Sequence, residues 1–389
     1  MNIILISFLF INVLLIFYTY FTYPLLIFFI NKFSINKSNG EIRKNSEKKN
    51  DYFSVTMIIA AHNEEKVIAG KLENTLNLDY PKERLQIIVA TDGCQDRTVN
   101  IVKSFNPHGI ELAEQKRHVG KTEALNSAVN RATNDIIVFS DANSIYETDA
   151  IKKMIRHFGD DQIGCVCGNL TLKSSSEFST SQSEGIYWRY EKWIKQQESL
   201  FSSLIGANGS IFAIRRSLYT PLDPDVIDDF MTPLLIRKKG YRVTYEPQAI
   251  CYEKAEETTT QNSRRKERII LRQLVALKRY YHVIRPFSGI MGFQIISHKI
   301  LRWLVPIFMI LTLICTLLVL QTVWGILALI PQIIFYSSVG IGYYLGHRGK
   351  KSGIFKIPFY FYLMNIASLI AIIRFSRGET QATWKVARE

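Results

Sequence analysis

Apolar positions are distributed along this chain in three different ways. Residues 3–30 read IILISFLFINVLLIFYTYFTYPLLIFFI, with no charged side chain, long enough to cross a hydrocarbon core of ~30 Å. A second apolar block lies near the other end, in runs at 304–320, 323–346 and 354–373. Between them the pattern changes period. Short β-branched runs (FSVTMIIAAHN, LQIIVATD, IELAEQ, DIIVFSD) alternate with segments of helical spacing (EEKVIAGKLENTLNL, CQDRTVNIVKSF, KTEALNSAVNRA, TDAIKKMIRHF). Strands that are apolar throughout, alternating with helices, predict an α/β domain. Its sheet is Rossmann-like and mostly parallel, covered by helices on both faces, with transmembrane helices at both ends of the chain.

The flanks refine this plan. The first apolar run is too long for the core of a cleaved signal, has no basic segment before it and no small-residue cleavage site after it, so residues 1–31 are expected to be a retained anchor. Residues 32–52 form a linker rich in Lys and Arg, which the positive-inside rule places in the cytoplasm together with the domain at 53–285. An interfacial helix is expected at 286–300, a membrane region of two or three spans at 301–375, and a basic tail at 376–389. HRGKK at 347–351 and the tail are both basic, and simple alternation cannot put both inside, which leaves the span count and the side of the carboxy terminus open.

Charge enters next. There are 48 Lys and Arg against 34 Asp and Glu, a net +14. In a membrane protein that balance favours attraction to the lipids of an anionic leaflet over nucleic-acid binding. The five cysteines form no disulfide or zinc pattern. Cys165 and Cys167 alternate along a strand and read as small buried side chains.

Ligands of parallel sheets bind beyond the carboxyl ends of the strands. Three strands end there on polar clusters: AHNEE (61–65), TDGCQDRT (91–98) and SDANS (140–144). The rim then carries Asn63, Glu64, Asp92, Asp96, Asp141 and Asn143. So many carboxylates repel phosphates unless a hard divalent cation with oxygen ligands intervenes. Neither G-x-x-x-x-G-K-[ST] nor G-x-G-x-x-G follows a strand. Asp228 and Asp229 open a helix, where capping and the helix dipole explain one acid well and the pair adequately. Arg264, Arg265, Lys266 and Arg268 crowd a basic helix leading to the membrane, so at least one can face a phosphate. His62 and His118 adjoin motifs without ligand spacing and are assigned no role.

Taken in order over the whole chain, these motifs resemble the membrane-embedded members of glycosyltransferase family 2, the relatives of hyaluronan, chitin and cellulose synthases. The resemblance implies a GT-A fold and inverting transfer of a sugar from a nucleotide-diphospho sugar, usually a UDP-sugar, to a hydroxyl of a glycan or lipid-linked acceptor. It implies that Asn63, Glu64, Asp92, Lys121, Asp141, Arg265 and Arg268 bind the donor. Asp141 and Asn143 would hold Mn2+ or Mg2+; Gly206, Asn208, Gly209 and Asp228 would border the acceptor; Asp229 would be the catalytic base. Two positions depart from the family pattern. Asn143 replaces the second Asp of D-x-D, with one less charge for a cation. Ile269 stands where polymerising relatives have Trp, which favours single or limited transfer. Two alternatives remain: a transferase charging a polyprenyl phosphate, and a non-enzymatic membrane scaffold.

Overall fold

The computed structural model describes residues 2–34, 53–173, 181–255, 259–285, 288–348 and 353–381. Most of the basic linker and the end of the basic tail lie outside them. The chain begins with α1 (Asn2–Phe17), joined through one π turn to α2 (Tyr23–Ser34). Strands and helices then alternate: β1 (Val55–Ala61), α3 (Ile68–Leu76), β2 (Leu85–Asp92), α4 (Thr98–Ser104), β3 (Ile110–Gln115), α5 (Lys121–Val129), β4 (Ile136–Asp141), β5 (Ile145–Tyr146) and α6 (Ala150–Ile155). The second half adds β6 (Ile163–Lys173), α7 (Ser181–Phe201), β7 (Phe212–Arg215), α8 (Asp228–Lys238), β8 (Arg242–Lys254) and α9 (Thr259–Arg279). The short α10 (Tyr281–Ile284) precedes α11 (Gly289–Gln294), α12 (Leu301–Leu318), α13 (Val323–His347) and α14 (Lys356–Ser376).

The eight strands form one sheet in the order β3-β2-β1-β4-β7-β6-β8-β5. Neighbours from β3 to β4 are parallel, whereas β7 runs against both β4 and β6. All seven residues of β1 are buried, as a strand covered on both faces requires. Its alternation divides the core: Met57 and Ile59 join Val89, Leu72, Met154 and Phe158 on one face, and Ile58 and Ala60 join Ile88, Leu125, Ile137 and Phe139 on the other. Cys165 and Cys167 are buried free thiols on β6.

A third core couples this domain to the terminal apolar helices. Phe230, Met231 and Leu234 of α8 and Leu271 and Val275 of α9 cluster with Ile295, Trp303 and Ala371. Of the segment expected to lie in the interface at 286–300, the described helical part from 289 onward runs through a π turn (Ile295–Ile300) directly into α12. Among the described residues, four helices are long and apolar enough to cross a membrane: Asn2–Phe33, Gly289–Leu318, Val323–His347 and Gly353–Ser376.

Candidate functional site

The strand register brings the three polar clusters to one rim. β1 pairs Ala61 with Thr91 of β2 and Ala60 with Asp141 of β4, all in parallel. Asn63 takes φ +52°, a left-handed conformation that Asn tolerates better than most residues, and its side-chain oxygen accepts the Gln95 N–H at 2.8 Å. The backbone N–H of Glu64 donates to Thr98 Oγ1 at 2.8 Å. Asp96 accepts from the N–H groups of Glu65 and Thr98 at 3.0 and 2.9 Å. The first two loops are thereby stitched into one surface.

Asp92 is fully buried. Its two carboxylate oxygens accept the N–H groups of Val119 and Gly120 at 2.8 and 2.9 Å, and His118 Nδ1 lies 2.9 Å away. Asp92 thus builds the loop that leads into α5. His62 Nδ1 donates to the Asp92 carbonyl at 2.5 Å, and its ring stacks on His118 at a centroid distance of 4.0 Å. Ligand atoms of His62, Asp92 and His118 lie within 4.8 Å of one another, a grouping that linear spacing did not disclose. In this arrangement the Asp92 oxygens and His62 Nδ1 are engaged in holding the loop.

A buried cluster of charged side chains forms where α5, β4 and α8 meet. Lys121, the first residue of α5, places Nζ 2.6 Å from Asp141 Oδ1 and 3.8 Å from Asp228 Oδ2. Burial opposes the ammonium charge, but Asp141, Asp228 and Asp229 outweigh it and hold its pKa above the ordinary lysine value. Burial likewise opposes the Asp141 charge, yet Lys121, the Ser210 hydroxyl at 3.1 Å and Arg265 keep this carboxyl below its usual range. Asp229 behaves in the opposite way. Burial and the adjacent Asp228, partly countered by Lys121, push it up to about 6. Asp228 is itself buried, and its Oδ2 has no hydrogen-bond partner among the described residues. Both acids occupy the first turn of α8, where no side chain caps the helix. Capping therefore does not account for the pair.

The 206–210 loop closes the other side. Gly209 N–H donates to Asp229 Oδ2 at 3.2 Å, and a Cβ on Gly209 would come within 3.0 Å of that oxygen and 3.4 Å of Lys121 Nζ. The Ala207 N–H bonds the Asp229 carbonyl at 2.7 Å, with Gly206 lying against Phe230. Asn208 donates to the Gly168 carbonyl at 2.6 Å and accepts from Lys195 of α7. Arg265 reaches Glu253 at 3.5 Å; Arg268, three residues further along α9, is half-buried. Asn143 is half-buried in the turn after β4. Asp141 and Asn143 offer oxygen ligands, the set that a hard divalent cation takes, and Asp228 Oδ2, paired with Lys121 at 3.8 Å, has no hydrogen-bond partner among the described residues.

Three contributors escaped sequence reading. Ser210 bonds both Asp141 and the buried Glu253 of β8. Lys71 of α3 is fully buried under the SDANS turn, donates to the Ser144 carbonyl at 2.7 Å and lies 4.1 Å above the Tyr146 ring. Burial lowers its pKa to about 7, although Cys251, Asp141 and Glu253 act to raise it.

Comparison with known proteins follows the same lines. Residues 56–221 match the model of glycosyl transferase family 2. The poly-beta-1,6-N-acetyl-D-glucosamine synthase of Staphylococcus aureus (strain COL) is 28% identical over 232 residues, covering 56% of this chain and 55% of that protein. The probable glycosyltransferase YdaM of Bacillus subtilis (strain 168) is 31% identical over 223 residues, covering 52% and 51%. The chain thus spans about half the length of the curated relatives it matches. Among solved structures, the mannosyltransferase PcManGT from Pyrobaculum calidifontis, determined with GDP-Man and Mn2+, has a TM-score of 0.66 at 19% identity, covering 94% of this chain and 99% of its own. The fold is therefore that of GT-A glycosyltransferases.

Proposed function

We propose, from the match of residues 56–221 to the model of glycosyl transferase family 2, that this protein moves a sugar, with inversion, from a nucleotide-diphospho sugar to a hydroxyl of a glycan or lipid-linked acceptor. The reaction takes place at the cytoplasmic face of a membrane that the chain crosses several times. The observation that carries the reading is Asp229: a carboxylate raised to about 6 beside a second acid, with its Oδ2 held by the Gly209 N–H. A base of that pKa is ionised at neutral pH and still basic enough to receive a hydroxyl proton. Asp229 takes the acceptor proton as the oxygen attacks the anomeric carbon. The Lys121 ammonium, already set among three carboxylates, shifts its charge toward the departing diphosphate, with Arg265 and Arg268 as the cations of α9 on the same side. Asp92 shapes the loop over the nucleotide by holding the Val119 and Gly120 N–H groups.

A divalent cation, Mn2+ or Mg2+, would be held by Asp141 and Asn143, and when bound it supplies Lewis-acid neutralisation of the diphosphate. UDP is the expected nucleotide, with N-acetylglucosamine the first sugar to try, given the name of the staphylococcal relative. Membranes containing the protein are incubated with radiolabelled UDP- and GDP-sugars, and lipid and polymer products are separated. Sugar incorporation lost both in D229N and on chelation with EDTA is the expected result. Normal incorporation by D229N removes Asp229 as base, and incorporation indifferent to EDTA removes the metal.

A further inference from the structure

A second group of charged side chains lies away from Asp229, where α7 crosses the helical run from Gly289 to Leu318. Arg302 pairs with Glu191 through Nη1, and its guanidinium lies 5.4 Å and 5.7 Å from the ring centres of Tyr20 and Tyr190. His298 is 2.7 Å from Glu198 and 3.5 Å from Glu191, and Tyr23 donates to Glu198 at 2.6 Å. These contacts engage both carboxylates of the junction. Arg302 Nε and Nη2 are nevertheless buried with no hydrogen-bond partner among the described residues. Those two nitrogens form one edge of the guanidinium fork, the edge that receives two oxygens of a phosphate side by side.

Two more cations face the same place. Lys299 lies one helical turn before Arg302 and is half-buried. Lys266 of α9 places Nζ 3.5 Å from the Tyr187 hydroxyl and over the rings of Tyr187 and Trp188. Neither pairs with a carboxylate among the described residues. Burial pulls the Lys266 ammonium down to about 8, with Lys299, Arg265 and Arg302 adding to the effect and Glu191 opposing it. Snorkelling to a headgroup layer explains an exposed lysine on a membrane helix. It does not explain an arginine edge buried without an acceptor, which carries a desolvation cost until an anion completes it.

We propose that the open edge of Arg302, with Lys266 and Lys299, binds the phosphate of a membrane lipid. The junction fits a lipid because Arg302 and Lys299 stand on a helix apolar enough to cross the bilayer, and tyrosine rings, the side chains that favour a headgroup layer, flank the fork. The site also adjoins the transfer machinery through α7: Glu191 pairs with Arg302, and one turn on, Lys195 bonds Asn208.

The test uses the full chain in an uncharged detergent, titrated with phosphatidic acid, polyprenyl phosphate and inorganic phosphate and followed by native mass spectrometry. One saturable lipid phosphate per chain is expected, not displaced by saturating UDP. K266Q/K299Q, which breaks no ion pair, is expected to weaken it by about tenfold or more, and R302K, which keeps the charge and loses the fork, by a similar factor. The lipid that binds more tightly identifies the source of the phosphate. Unchanged affinity in both variants, displacement by UDP, or inorganic phosphate binding as tightly as the lipids each overturns the proposal.

Discussion

Asp229 and Lys71 show how burial sets the working state of single side chains in this protein. The Asp229 carboxyl rises from 3.8 to about 6, so the folded chain holds that proton more tightly than the unfolded chain does. Stability therefore falls as pH rises through that window, and the penalty is complete above it. Asp229→Asn removes the penalty and keeps the shape. The variant is expected to melt ~2–8 °C above wild type at pH 7 and to match it below pH 4, while sugar transfer drops ~100-fold or more. Transfer by the wild type should itself fade as pH drops below about 6. Lys71 has the mirror-image signature, its pKa lowered from 10.5 to about 7. Its burial penalty is present below pH 7 and vanishes as pH rises to 10.5. Lys71→Met should therefore gain stability relative to wild type near pH 6 and lose that advantage near pH 10. It also frees the Ser144 carbonyl, so turnover should fall through a loosened SDANS turn; unchanged kcat in the variant would show that Lys71 does not position Asp141.

At the scale of elements, the loop between β3 and α5 is held by a residue of a different strand. Asp92 accepts two consecutive backbone N–H groups, and Gly93, the next residue after it at the end of β2, has φ +60° with no room for a Cβ, which would lie 2.5 Å from the His118 nitrogen. Asp92→Asn turns one acceptor oxygen into an N–H2 group facing a backbone N–H. The expected cost is ~1–3 kcal/mol, read as a raised KM for donor with kcat less affected; the reverse split would assign Asp92 to the chemical step. The alternation of strands and helices and the rim of strand ends were legible from periodicity, because each lies within a dozen residues of contiguous pattern. The acids of α8 were legible from order of motifs. What could not be read were the contacts that cross the sheet. Ser210 bonds Asp141 and Glu253 over 69 and 43 positions, and Lys71 reaches Ser144 over 73. A lysine in an amphipathic helix and a glutamate in a strand read as solvent-facing until the fold closes over them.

For the whole molecule, the decisive feature is that α8, which carries the candidate base, and the terminal apolar helices share a core. Phe230 and Met231, the residues that follow the candidate base, pack in one cluster with Trp303 of α12 and Ala371 of α14. Ile269, the residue standing where polymerising relatives have Trp, packs against the same cluster. The terminal apolar helices therefore form a wall for α8. Two tryptophans on neighbouring helices differ in this respect. Trp303 is 5% exposed and Trp324 on α13 is 50% exposed, facing what in a membrane is lipid. Trp303→Ala opens a cavity behind α8, at a cost of ~3–5 kcal/mol by analogy with buried aromatic truncations. It should lower thermal stability in detergent and, by letting the first turn of α8 shift, lower kcat as well. Trp324→Ala removes a side chain that has lipid to replace its contacts, and should leave both close to wild type. Loss of stability in Trp303→Ala with kcat intact would mean that α8 holds Asp229 without help from the terminal apolar helices, and that the shared core serves attachment alone.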